Sequence, residues 1–214
     1  AFLVENRLAA GADYGPRPAP GSKAPGRPLR LGWVGNLRCL RSFGLLCELA
    51  DRFPDTLEIH LHGAPARKEI PIFEPEIDKR PNMTFHGRYR SPEDLSDIYS
   101  GLDLVWAGDF MEAGFNSVWL LPNRIYEGGY FVVPSIAPAG TETAAWIDSR
   151  KGGFLVEEPL GRTLPELIER LIADPAPIAD RSRALAALPD TDFIQPEGFL
   201  SDMLEQALRG SVAG

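Results

Sequence analysis

The sequence predicts an α/β fold, a mostly parallel sheet sandwiched by helices. Three observations lead there. Short apolar runs that read as buried strands recur six times, at residues 29–35, 57–62, 83–87, 102–106, 135–137 and 152–156. Segments with apolar residues at three-to-four spacing separate most of them, and that alternation is the pattern of a parallel sheet covered by helices. Finally, glycines 35, 63 and 87 close the first three runs. In such sheets ligands bind at the carboxyl ends of the strands, where these turns and the loop after Trp106 lie.

The elements follow in order. Residues 11–28 carry Pro16, Pro18, Pro20, Pro25 and Pro28 among glycines and alanines and read as a loop or linker. Phe43, Leu46, Cys47, Ala50 and Phe53 form one face of a helix over 42–53, stopped by Pro54-Asp55. The strand 57–62 alternates strictly. Residues 64–81 hold four prolines and read as a loop with at most one short helix. Ser91-Pro92-Glu93-Asp94 predicts a helix start, with serine at the N-cap, proline at N1 and Leu95, Ile98 and Tyr99 as its stripe. Residues 107–122 form a long loop containing Asp109, Glu112 and Trp119. A short helix follows with Asn123 as its N-cap, and Pro134 forbids its continuation into the strand 135–137. Helices are expected over 141–147, from a Thr163 cap with Pro165 and Glu166 in the first turn, over 181–188, and over 198–208. The predicted division is 1–28 as a hinge or linker, 29–190 as one α/β domain, and 191–214 as a C-terminal helix. Phe2-Leu3-Val4-Glu5-Asn6 reads as a strand or hinge piece, and the chain reads as part of a longer protein.

Composition narrows the function. A chain of 214 residues has ample core for one large domain. A net charge of −8 and a pI near 5.0 argue against a broad nucleic-acid or anionic-membrane surface. No apolar run reaches the roughly 20 residues of a membrane helix. Cys39 and Cys47 lack C-x-x-C spacing and read as reduced thiols of a cytoplasmic protein.

Two constellations carry chemistry. Arg124 and Glu127 are three apart and share one face near a helix N-terminus, where free N–H groups and the helix dipole favour an anion. A glutamate there can accept two sugar hydroxyls, and an arginine can fork onto phosphate. The second is Gly35-Asn36-Leu37-Arg38-Cys39-Leu40-Arg41, a strand end that puts two arginines ahead of a helix. It matches neither the dinucleotide glycine fingerprint nor a Walker A loop. Other candidates are weaker. His60 and His62 share a strand face at a spacing that can ligate zinc, yet no third ligand is evident nearby, so no metal is assigned. Asp190-Thr191-Asp192 reads as a polar turn, there is no G-x-S-x-G elbow, and the tryptophans do not interleave with basic residues.

These residues resemble the C-terminal, donor-binding domain of GT-B glycosyltransferases, a Rossmann-like domain. Leu121-Pro122-Asn123-Arg124-Ile125-Tyr126-Glu127-Gly128-Gly129, with Pro134 seven residues beyond Glu127, resembles its "P-N-K/R-x-x-E … P-V-I-A" run. Gly35 and Arg41 fall where "G-R-L-x-x-x-K-G" has its first glycine and its lysine; Asn36 replaces the arginine, and Arg38 stands near enough to compensate. Phe85-His86-Gly87, Leu102-Asp103-Leu104-Val105 and Gly152-Gly153-Phe154-Leu155-Val156 resemble later motifs in the same order, so the likeness runs over residues 29–176. Within the family the chain looks closest to bacterial exopolysaccharide glycosyltransferases of the succinoglycan type.

The resemblance implies a nucleoside-diphosphate sugar held by Gly35, Asn36, Arg38, Arg41, Gly87, Arg88, Tyr89, Asn123, Arg124 and Glu127. Glu127 would take the ribose, the arginines the diphosphate, and residues 87–89 the base. It implies no bound metal or other cofactor. It also implies a glycan or lipid-linked acceptor bound by a missing N-terminal domain, in a cytoplasmic protein or one peripheral at the inner membrane face. One departure stands out. Where many members carry E-x7-E, the residue eight before Glu127 is Trp119, and Glu112 is the alternative acid of that loop. Two other classes stay open from the residues alone: a nucleotide-sugar epimerase of the same fold, and a non-catalytic α/β interaction module.

Overall fold

A computed structural model of the chain describes residues 5–20, 26–110 and 121–199. Six strands form one parallel sheet in the order β3-β2-β1-β4-β5-β6, the doubly wound order. They are β1 (Leu29–Leu37), β2 (Leu57–Pro65), β3 (Met83–Gly87), β4 (Leu104–Trp106), β5 (Ser135–Pro138) and β6 (Gly153–Val156). The helices are α1 (Leu40–Arg52), α2 (Phe73–Ile77), α3 (Leu95–Ser100), α4 (Asn123–Tyr130), α5 (Glu142–Ser149), α6 (Leu160–Ala173) and α7 (Ala176–Ala186).

Alternation along the strands sends side chains to two cores. Leu29, Leu31, Leu57, Ile59 and Leu61 pack on one face against Phe43, Leu46 and Leu49 of α1 and Leu164 and Ile168 of α6. Val34, Val105 and Ala137 pack on the other against Leu95 and Tyr99 of α3, Ile125 and Tyr126 of α4, and Trp146 of α5. Each such fully buried side chain contributes about 1.5–3 kcal/mol. The fold class therefore matches the expectation, and all six strands form.

Boundaries differ where side chains take other partners. β1 does not end in a turn at Gly35: Gly35 pairs with Gly63 inside the β1–β2 ladder, which runs on to Leu37 and Pro65. Both glycines have positive φ, +112° and +135°, and a Cβ on Gly63 would stand 1.7 Å from the Gly35 carbonyl oxygen. Helix α3 starts at Leu95 rather than Ser91. The Asp94 carboxylate accepts from the Arg90 backbone N–H at 2.8 Å and from its guanidinium, closing a turn over residues 91–94 instead. Asn123 is the first helical residue of α4, not its cap; Pro122, extended at φ −72° and ψ 147°, holds that place. Helix α6 begins a turn before Thr163, because the Glu158 carboxylate accepts from the Leu160 N–H at 3.2 Å. The Thr163 hydroxyl donates back to Pro159 O at 3.4 Å. Helix α7 begins at Ala176, five residues earlier than expected. Most of the expected terminal helix over 198–208 and of the strand piece at 2–6 lies outside the described residues; Glu5 and Asn6, which are described, are not in a strand.

The N-terminal segment is tied to the domain at Leu8, Tyr14 and Arg17, while Pro16, Pro18 and Pro20 between and beyond them are exposed. Leu8 makes a parallel bridge with Ile194. Leu8 N–H donates to Phe193 O at 2.9 Å, and Gln195 N–H donates to Leu8 O at 2.8 Å. The Arg17 guanidinium donates to Leu188 O and Leu185 O at 2.6 and 2.7 Å and lies over the Phe193 ring. Asp190–Asp192 forms a single 3-10 turn, with Asp192 paired to Arg150 at 2.9 Å, in line with the polar turn expected there.

The second face of β2 and β3 carries polar residues. Glu58, His60 and His62 are each partly exposed there. The register shifts between Leu61 and His62, so that Phe85 pairs with Leu61 and Gly87 with His62. His86 is the extra residue of that bulge, and its ring stacks on His62 with centroids 4.1 Å apart and planes nearly parallel, at 2°. Burial lowers the pKa of all three rings, that of His62 to about 4.

Candidate functional site: a cleft at the topological switch point

The strand order reverses between β1 and β4, and the chain leaves these strands in opposite directions. A cleft of about 290 Å³ opens at their carboxyl ends. It is lined by Val34, Gly35, Asn36 and Arg38 from β1 and the residues just after it, Asp109 after β4, Tyr89 after β3, Asn6, and Pro122, Asn123, Arg124 and Glu127 from the start of α4. This is where an open α/β sheet places its ligand.

Helix α4 supplies the charged floor. Arg124 and Glu127 are only 6% and 4% exposed. Tyr99 Oη donates to Glu127 Oε2 at 2.6 Å. Burial pushes the Glu127 carboxyl up, opposed by that hydrogen bond and by the nearby Arg124 charge. The Arg124 guanidinium donates to Val34 O at 3.4 Å and to Gly108 O at 3.5 Å, both long, and its Nε has no hydrogen-bond partner. Burial lowers its pKa, while Asp109, Tyr99 and Glu127 act the other way. Among the described residues Arg124 and Glu127 do not pair with each other within 4.0 Å. Two buried charges of opposite sign at the floor of a cleft, one with an unpartnered nitrogen, make these residues binding-site candidates.

The walls set access. Gly35 lies against Arg124: a Cβ there would meet its Nη1 at 3.8 Å. Arg38 is half-buried and reaches Asp109 Oδ2 at 3.4 Å. Asn36 and Asn123 are exposed at the rim. Tyr89 packs against the second core, and burial raises its phenol pKa. The first-turn N–H groups of α4 point out of the helix end beside Pro122, Asn123 and Arg124.

Of the sequence candidates, the structure gathers Gly35, Asn36, Arg38, Tyr89, Asn123, Arg124 and Glu127 into this cleft. Arg41 is not among the lining residues. It pairs with Glu158 at 2.6 Å and covers the Phe110 ring at 4.3 Å. Gly87, at φ +83°, turns the chain out of β3, and Arg88 is exposed, so neither lines the cleft. Glu112 and Trp119 lie outside the described residues. The sequence did not single out Asn6 or Asp109 as ligands, or Tyr99 as the partner of Glu127. Tyr99 sits on a helix stripe that reads as core, and its hydroxyl was the available signal, since a buried phenol needs a hydrogen-bond partner.

Comparison with known proteins fits this geometry. No protein-family model matches the chain. The chain is 42% identical over 177 residues to the succinoglycan biosynthesis protein ExoL of Rhizobium meliloti, a match that covers 81% of this chain and 42% of that protein. It thus spans less than half the length of this curated relative. Among solved structures it resembles Anabaena HepE in complex with UDP, with a TM-score of 0.64 at 15% identity over 87% of this chain and 49% of that one. It also resembles the C-terminal domain of a group 1 glycosyltransferase, LpcC of Francisella tularensis, with a TM-score of 0.58 at 17% identity over 82% of this chain and 96% of that one. The chain is a relative of the succinoglycan biosynthesis protein over those 177 residues, and its fold is that of the C-terminal domain of GT-B glycosyltransferases.

Proposed function

We propose that this chain is the donor half of a glycosyltransferase acting in bacterial exopolysaccharide synthesis, and that it binds a UDP-sugar in the cleft between β1, β4 and α4. The observation that carries this reading is the buried Arg124–Glu127 couple, one helical turn apart on the cleft floor and not paired with each other. Glu127 accepts the two ribose hydroxyls, with Tyr99 fixing its other oxygen. Arg124 and Arg38 meet the diphosphate, aided by the α4 N-terminus, and Tyr89 flanks the base. Uridine is favoured because HepE, of like fold, was solved with UDP. In the reaction the bond from the sugar anomeric carbon to the diphosphate oxygen breaks as an acceptor hydroxyl oxygen bonds to that carbon, and the hydroxyl proton passes to a base or to the departing diphosphate. The arginines stabilise the charge left on the departing UDP. No resident cofactor is proposed for this step. Residues 29–190 form the donor-binding unit in this reading. The glycan or lipid-linked acceptor is bound by a further domain, so the chain alone does not turn over.

Calorimetric titration of the chain with UDP and GDP tests the proposal. UDP is expected to bind in the micromolar to millimolar range and more tightly than GDP. Arg38→Ala weakens it, whereas Arg41→Ala leaves it unchanged within about twofold, since Arg41 is engaged with Glu158 outside the cleft. Absence of UDP binding overturns the reading, and a large loss in Arg41→Ala overturns the assignment of the phosphate ligands.

A further inference from the structure

We infer that His60, His62 and His86 form a zinc site that staples the edge strand β3 to β2. The chain has three histidines, and the fold brings all of them together. One ring nitrogen from each lies within 4.8 Å of the others. His60 Nδ1 and His86 Nε2 are already 3.0 Å apart. Zinc–nitrogen bonds of about 2.0–2.1 Å in a tetrahedron set nitrogens roughly 3.3 Å apart, so this pair has nearly the required bite. The widest separation must close by roughly 1.5 Å, which side-chain rotation of the partly exposed His62 and His86 rings supplies.

The scaffold is suited to the task. His60 and His62 stand two apart on β2, and the bulge leaves His86 between them across the ladder. A bulge that re-aims a side chain also explains why spacing alone did not reveal the third ligand. Behind the rings, His60 Nε2 is buried without a hydrogen bond and sits 3.5 Å from Glu58 Oε2. Arg30 Nε holds that same carboxylate oxygen at 2.9 Å. A carboxylate behind a ligating imidazole is the usual orienting partner. The protons balance without release. In the metal-free pair one of His60 Nδ1 and His86 Nε2 carries the shared hydrogen. Metal binding moves it to the other nitrogen of its own ring, which for His60 is the one facing Glu58. Water on the exposed His86 side completes four-coordination. Three imidazoles select a borderline metal such as zinc over calcium or magnesium, which require oxygen ligands.

The test is titration of the untagged, chelator-stripped chain with zinc by calorimetry, and with cobalt by visible absorption, in the absence of nucleotide. One equivalent is expected to bind with a micromolar or tighter Kd, with the intense visible bands of tetrahedral cobalt. His62→Ala and His86→Gln each weaken binding at least about tenfold, and Glu58→Gln weakens it about tenfold. His86 is exposed, so His86→Gln leaves the fold intact by circular dichroism and decides the case even if His62→Ala does not fold. Millimolar binding, or binding unchanged in His86→Gln, overturns the proposal and leaves a stacked, hydrogen-bonded trio. The readout is independent of UDP, so its failure does not bear on the donor site.

Discussion

Glu127→Gln is expected to abolish most UDP binding while leaving the protein as stable as before or more so. The amide keeps the shape and still accepts from Tyr99 Oη, now 2.6 Å from Glu127 Oε2. It loses the charge that strengthens bonds to the ribose hydroxyls. A hydrogen bond to a charged group contributes about 1.5–3 kcal/mol, so the affinity falls roughly 10- to 100-fold. Stability moves the other way. Burial raises the folded pKa of Glu127 above its ordinary value of 4.5. Below that value both folded and unfolded chains hold the proton, and the variant and parent differ little. As the pH rises, the unfolded chain ionises first, so the parent alone loses stability until the folded pKa is passed. The gap in melting temperature in favour of Glu127→Gln therefore opens with rising pH above about 4.5. Calorimetry with UDP and thermal melts across pH measure both halves. Unchanged affinity removes Glu127 from the site, and a variant less stable than the parent at neutral pH contradicts the burial cost.

The largest loss of fold is expected from Gly63→Ala. The new methyl would stand 1.7 Å from the Gly35 carbonyl oxygen, and the backbone at φ +135° is one that side chains rarely adopt. Both obstacles are backbone, so neither yields by a rotamer change. Strain of about 1–3 kcal/mol from the conformation adds to the cost of parting β1 from β2. The sum approaches the 5–15 kcal/mol that holds an ordinary domain together. Denaturant melts are expected to show a loss of about 3–5 kcal/mol or an insoluble product. Gly44→Ala is the control: that position on α1 has nothing within 4 Å of an added methyl and a helix that favours alanine. Equal stability of the two variants would show that the paired strands separate freely.

The sequence already showed most of this architecture, because burial periodicity is a local property. The alternation in 57–62 and the three-to-four spacing in 42–53 each report which face is covered, without reference to distant residues. Arg124 and Glu127 were legible for the same reason: three residues on a helix fix a shared face. What failed depended on partners far along the chain. Ser91 and Thr163 look like caps locally, but the turn at Asp94 and the Glu158 carboxylate move the helix starts. Arg41 matched by spacing, but its pairing with Glu158, 117 residues away, and its place outside the cleft lining were not visible in the sequence. The third histidine required strand pairing and a bulge, which no spacing within one strand records.

The clasp between Leu8 and residues 193–195 has a consequence for how the cleft opens. Asn6, two residues before that bridge, lines the cleft and donates from Nδ2 to Leu121 O at 3.0 Å, beside the start of α4. Phe193 wedges against Gly129 on the same helix, where a methyl would meet its ring at 2.3 Å. The rim of the cleft, the far end of α4 and a segment over 180 residues downstream of Asn6 are therefore expected to open as one cooperative unit rather than three. Fraying of residues 190–195 releases the rim, and a ligand that orders the rim slows fraying at the other end. In amide exchange, Leu8 and Gln195 are expected to share one protection factor and to rise together when UDP is added.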